Sequence, residues 1–127
     1  MSEIQFLNID LDLESNEDLT SIIESFRSSA TVMRDDHIEG KYYASFEIGF
    51  TEENKIIQEY ILLIKALDSN ARLIWDQCIS RVFNFGYDSG EKPNNYISNL
   101  SKDSITLLAE VGGSIAITIY PASRNDT

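Results

Sequence analysis

The stretch Ser80-Arg-Val-Phe-Asn-Phe-Gly-Tyr-Asp-Ser-Gly90 constrains the fold more than any other. Phe83, Phe85 and Tyr87 recur at the strand period of two, so three rings point to one side of a short strand that ends in a turn. A strand with that much apolar surface on one face needs a layer to cover it. Just upstream, Arg72-Leu-Ile-Trp-Asp-Gln-Cys-Ile79 holds the chain's only tryptophan and only cysteine. This helix-to-strand junction is expected to be the middle of the core, with Trp75, Phe83, Phe85 and Tyr87 as anchors.

The remainder falls into similar units. Residues 4–13 alternate, with Leu7, Ile9, Leu11 and Leu13 on one face and Asn8, Asp10 and Asp12 on the other, the pattern of a strand with one buried side. Ser15 or Asn16 can cap a helix with Glu17 and Asp18 in its first turn and Leu19, Ile22, Ile23 and Phe26 as its apolar stripe. Met33 to Gly40 has no period and ends in glycine, so it is expected to be a loop. Tyr42 to Phe50 alternates again, with Tyr42, Ala44, Phe46, Ile48 and Phe50 on one face and Tyr43, Ser45 and Glu47 opposite. Thr51 is the expected cap of a second helix, whose inner face is Ile57, Tyr60, Ile61 and Ile64 and which bends at Asp68-Ser-Asn70. The run Asp88 to Asn95 is rich in turn formers. Ser101 caps a short helix through Ile105, Leu108 and Ala109, ended by Gly112-Gly113, and Ile115, Ile117 and Ile119 face one way in a last strand closed by Pro121.

The expected fold is therefore α+β, an α/β two-layer sandwich: one four-stranded mixed sheet with three main helices on one face, in the order β-α-β-α-β-α-β. Residues 1–127 are expected to form a single domain, with 122–127 a mobile tail. One cysteine cannot make an intramolecular disulfide, the opening residues lack the basic and apolar regions of a signal peptide, and Tyr60-Ile-Leu-Leu-Ile64 is far short of the ~20 residues that span a bilayer. A cytoplasmic protein with no membrane role is expected.

Charge is the strong compositional signal. The formal net charge is −11, and residues 1–63 hold 14 acids against 4 bases while residues 64–127 hold 7 against 6. A field of that sign repels nucleic acid and anionic lipid and attracts a basic partner. Asp10, Asp12 and Glu14 share a strand face near Glu17 and Asp18, but Asp-x-Asp-x-Glu lacks the glycine and terminal glutamate of a calcium loop, so no metal is expected. His37 sits in a polar stretch beside Asp35 and Asp36, without the pocket a general base needs. Cys78, among Ile74, Trp75 and Ile79, suits a buried, inert thiol. Gly86-Tyr-Asp-Ser-Gly90 matches no phosphate loop or nucleophile elbow and reads as a turn in which Asp88 bonds its own backbone.

Two stretches carry a resemblance. Trp75-Asp-Gln-Cys-Ile-Ser-Arg-Val-Phe-Asn-Phe-Gly-Tyr-Asp-Ser-Gly90 and Leu107-Leu-Ala-Glu-Val-Gly-Gly-Ser-Ile-Ala-Ile-Thr-Ile-Tyr-Pro121 resemble the bacterial family catalogued as domain of unknown function 4279, for which no catalytic residues can be carried over. In type, a small acidic protein of this kind is also similar to the immunity proteins of bacterial toxin systems. That likeness, with the acidic first half, implies a non-enzymatic inhibitor without cofactors that masks a basic toxin domain, with a nuclease as the expected class. Asp10, Asp12, Asp35, Asp36, Glu39, Glu52 and Glu53 are the expected contacts and Tyr43 an aromatic anchor, over ~800 Å² per partner. The alternative is a small enzyme or a metal- or ligand-binding domain using Asp10, Asp12 and Asp88.

Overall fold

The longest strand, β1 (Gln5–Ser15), occupies the middle of a five-stranded sheet. The structure, a computed structural model, describes residues 3–50, 52–92 and 94–122. β2 (Thr31–Ile38), β3 (Lys41–Glu47), β4 (Ser80–Asp88) and β5 (Ser114–Tyr120) complete the sheet in the order β2-β3-β1-β4-β5. β1 is antiparallel to both β3 and β4, β2 is antiparallel to β3, and β4 is parallel to β5. The buried phase is Ile9, Leu11 and Leu13 on β1, Ala44 and Phe46 on β3, and Phe83, Phe85 and Tyr87 on β4. Their registers put all eight on one face, so the helices cover that face and leave the other bare.

Four helices form the second layer among the described residues: α1 (Thr20–Phe26), α2 (Glu53–Lys65), α3 (Ser69–Asp76) and α4 (Lys102–Glu110). Each buries an apolar stripe, of which Ile22, Ile23 and Phe26 on α1 and Ile57, Tyr60, Ile61 and Ile64 on α2 are the expected ones. Trp75 is fully buried, meets Phe26 at a tilted 6.4 Å and donates its indole N–H to Val111 O at 3.0 Å. That bond ties the end of α3 to the end of α4. Arg81 reinforces the junction by donating to Trp75 O, Cys78 O and Gly112 O, carbonyls at or just beyond the ends of α3 and α4. At the opposite end Asn54 Oδ1 accepts from Ser101 N and Ser104 Oγ, joining the starts of α2 and α4.

Among the described residues the fold has five strands and four helices where four and three were expected, because 33–38, read as part of a loop, belongs to β2 and the bend at Asp68 separates α3 from α2. β2 is an edge strand exposed on both sides, so nothing imposes a period on its sequence. It turns into β3 through Glu39 and Gly40, both at positive φ (51° and 82°), the two-residue turn whose twist suits a hairpin. Leu7, assigned to the buried face, is exposed because the register shifts between Phe6 and Asn8; Phe6 packs edge-on against Tyr87 in its place.

Neither Ser15 nor Asn16 caps α1. Leu19 holds that position with no side-chain bond, while Ser15 Oγ accepts from Glu17 N and Asp18 Oδ1 from Thr20 N. Thr51 lies outside the described residues; Glu52 caps α2, accepting from Asn54 N and Lys55 N. Asp68 and Ser101 cap α3 and α4, the second as expected. Phe50 and Ile105 are exposed rather than inward. Residues 123–127 of the expected tail also lie outside the described residues. Among the described residues, no helix is long and apolar enough to cross a membrane.

Tyr60 links the layers. Its buried hydroxyl lies 2.9 Å from Ile9 O and 3.0 Å from Phe46 O, shared between β1 and β3 where their ladder ends. Removing the hydroxyl leaves two strand carbonyls in an apolar layer without that donor. Tyr60→Phe is expected to cost about 1–3 kcal/mol of stability with little change in fold, measured as a lower urea midpoint at unchanged slope.

Candidate functional site

The bare face of the sheet is where the acidic residues converge. Asp10, Asp12 and Glu14 on β1 share it with Glu47, Ser45, Tyr43 and Lys41 on β3, and with Arg34 and Asp36 on β2. Asp88, at the far end of β4, is on the same side. Among the described residues, six carboxylates thus stand against two cations. Both cations are occupied: Arg34 Nε is 2.6 Å from Asp36 with its guanidinium 4.5 Å from the Tyr43 ring centre, and Lys41 reaches Glu14 at 3.3 Å. Among the described residues no cation pairs with the middle of the face, Asp10, Asp12 and Glu47.

Asp10 bears the strain of this grouping. It is opposite Glu47 on one neighbour and Asn84 on the other, and its Oδ1 is shielded from water with no hydrogen-bond partner among the described residues. Burial first, then the charges of Glu47 and Asp12, push its carboxyl up to about 6. Asp12 is better served, accepting from Ser45 Oγ at 2.8 Å.

The expected contact residues divide. Asp10, Asp12, Asp36 and Tyr43 are on the bare face, joined by Glu14 and Glu47, which were not among the expected contacts. Asp35 is opposite Ala44 and so faces the helix side of β2. Glu39 sits in the hairpin turn at the sheet's end. Glu52 is engaged in capping α2, and Glu53 accepts from Ser98 Oγ at 3.0 Å, both in the helical layer. One signal for Glu14 and Glu47 was present in the sequence: each shares the phase of a chosen neighbour, Asp12 and Tyr43 respectively.

The alternative trio does not converge. Asp10 is opposite Asn84, four residues along β4 from Asp88, a separation of about 13 Å at strand rise. Asp88 Oδ1 instead accepts from Gly90 N at 2.8 Å, the self-bonded turn anticipated for that stretch. Among the described residues no three His, Cys, Asp or Glu side chains are grouped to hold a metal ion. His37 is exposed on β2 and stacks on Tyr42, with ring centres 4.0 Å apart. Cys78 is buried, and desolvation raises its thiol pKa.

Sequence reasoning missed a second feature, an apolar cleft of about 500 Å³ on the helix side of the sheet, near β5. Phe85, Ile115, Ile117 and Ile119 form its floor and Tyr96 and Leu100 its wall. Its polar rim is a chain of hydroxyls: Ser98 donates to Glu53, so Tyr87, 2.7 Å from Ser98 Oγ, donates to Ser98. Tyr96 packs edge-on to Tyr87 at 5.8 Å, and burial, aided by Glu53 and Tyr87, raises its phenol pKa. The isoleucines of β5 alternate as a buried strand would, and only the extent of the helical layer shows that they are uncovered.

No family model, curated protein or solved structure matches the chain.

The Asp10 shift has a measurable consequence. The folded chain holds that proton more tightly than the unfolded chain, so the associated stability is complete below 3.8 and is lost as pH rises through about 6. In Asp10→Asn this component disappears. The difference in melting temperature between variant and parent should grow in the variant's favour across that interval and level off at neutral pH.

Proposed function

We propose that the chain is a binding protein of the immunity type, which neutralises a cognate basic toxin domain by covering it with the helix-free face of the sheet. The observation that carries this reading is the gathering of Asp10, Asp12, Glu14 and Glu47 on adjacent strands, with no cation over its centre among the described residues. A fixed sheet is a rigid platform, so little ordering entropy opposes binding. Half-buried, mutually repelling carboxylates gain more from an incoming lysine or arginine than solvated ones do, because their charges are less screened. Tyr43, half-buried among them beneath Arg34, supplies the flat apolar contact suited to an interface centre.

The partner's chemistry follows from the same geometry. A basic surface that engages nucleic acid through arginine and lysine would be blocked by a negative face of this breadth, and a nuclease domain has such a surface. The similarity in type to immunity proteins fits this reading. The chain's cytoplasmic location, needed to meet such a toxin before it acts on its own host, belongs to the same proposal.

The test is co-expression with the product of the adjacent gene. That product should arrest growth alone, and this chain should restore it. The triple variant Asp10→Lys, Asp12→Lys and Glu47→Lys, checked for folding by circular dichroism, should fail to rescue and should bind the purified toxin domain at least ~100-fold more weakly at low salt, with a flatter salt dependence. Full rescue by the folded triple variant, or an adjacent product without toxicity, would overturn the proposal.

A further inference from the structure

The two edges of the sheet are built differently. β2 exposes Arg34, Asp35, Asp36 and His37 in succession, the charged edge that discourages strand addition, and its register is broken between Val32 and Arg34. β5, Ser-Ile-Ala-Ile-Thr-Ile-Tyr, has no charged residue, no proline and a regular register with β4. Its side chains on the helix side are Ile115, Ile117 and Ile119, exposed to 48%, 65% and 65%. Tyr96, Ile97 and Tyr120 are also exposed. Apolar exposure on the order of several hundred Å² is the extent at which a patch marks an interaction site.

The geometry points to a second copy of this chain as the occupant, joined edge to edge through antiparallel β5 strands about a two-fold axis at Ile117. Main-chain direction supports this register. Tyr120 O accepts from Ser89 N just beyond β4, so Tyr120, Thr118, Ala116 and Ser114 direct their peptide groups toward β4. By alternation, Ile115, Ile117 and Ile119 direct theirs outward. Ile117 is the midpoint of the strand. A two-fold there sets Ile115 opposite Ile119 of the other copy and Ile117 opposite itself, and the outward N–H and C=O groups of these residues have no partner among the described residues. About six main-chain hydrogen bonds form, and because directly opposed residues point the same way, the two isoleucine stripes merge on one face. A shift of one residue would lose the hydrogen bonds and the side-chain match together.

Charge does not oppose the pairing. The seam is uncharged, and the two β1 strands would lie five strand spacings apart, about 24 Å, beyond the ~10 Å screening length. The acidic faces remain open, side by side, so the pairing is independent of the proposed basic partner.

The mass in solution tests it. Light scattering on the purified chain at high micromolar concentration should give twice 14.4 kDa. Ile117→Lys places like charges against each other on the axis. It should give the 14.4 kDa species with unchanged circular dichroism, its dimer dissociation constant raised at least ~100-fold. Ile117→Cys in a Cys78→Ser background should be joined in high yield by a short bis-maleimide, and Ser114→Cys in that background should not. A monomeric parent chain, a dimer that survives Ile117→Lys, or failure of the Ile117→Cys variant to cross-link would each overturn the inference.

Discussion

The segregation of side chains along β1 is the constraint on which the rest of the structure depends. Ile9, Leu11 and Leu13 are fully or almost fully buried beneath the helices, while Asp10, Asp12 and Glu14 project to the bare side. Both halves come from one period of two, and a register slip would move carboxylates into the core. Each neighbour repeats the division: β3 sets Ala44 and Phe46 against Tyr43, Ser45 and Glu47, and β4 sets Phe83, Phe85 and Tyr87 against Val82, Asn84 and Gly86. A single apolar layer then suffices for stability, and the other face is released from packing. Tyr60 marks the boundary, since its ring is in the helical layer and its hydroxyl serves the strand backbones.

The helical layer is narrower than the sheet. α2 and α4 are pinned together at their starts through Asn54, and α3 and α4 at their ends through Trp75 and Arg81, which fixes the three helices to one another, with α2 against β1. Nothing comparable lies above the isoleucines of β5 among the described residues. The apolar cleft is the direct result of that shortfall, with the Tyr87, Ser98 and Glu53 chain holding its far wall to α2.

Elements with one wet and one dry face were legible in the sequence. The aromatic strand, the alternation of residues 8–13, the inner face of α2, the Asp68 break and the Ser101 cap all appear as read, because in each case burial or capping imposed the pattern. Legibility failed where burial imposes none. β2 is exposed on both sides and carries no pattern, so its pairing with β3 follows from the Glu39-Gly40 turn, a signal weakened by glutamate at a left-handed position. Leu7 was misplaced because one extra residue in β1 changes the phase without any trace in composition. The isoleucines of β5 show the converse error: an alternating apolar set states which way side chains point, not whether anything covers them. Of the candidate site, the β1 acids were legible from phase. Asp35, Glu52 and Glu53 have only their charge to recommend them in the sequence, and the fold sends them elsewhere.

The bare face is electrostatically costly to the isolated chain. Glu47 and Asp12 flank Asp10, one of whose oxygens is shut from water without a donor, and its carboxyl near 6 is the measure of that arrangement. A protein selected for stability alone would relieve it with an amide, or with a lysine in place of Ser45. The cations of this face among the described residues, Arg34 and Lys41, instead pair at the rim with Asp36 and Glu14. The unmet charge is therefore concentrated at the centre, where desolvation by a docking surface would be greatest and a matching cation would gain most. At neutral pH Asp10 is mostly ionised, so a basic partner meets a formed anion and need not first displace a proton. In acid the same partner would have to drive that proton off, and part of its binding energy would be spent doing so.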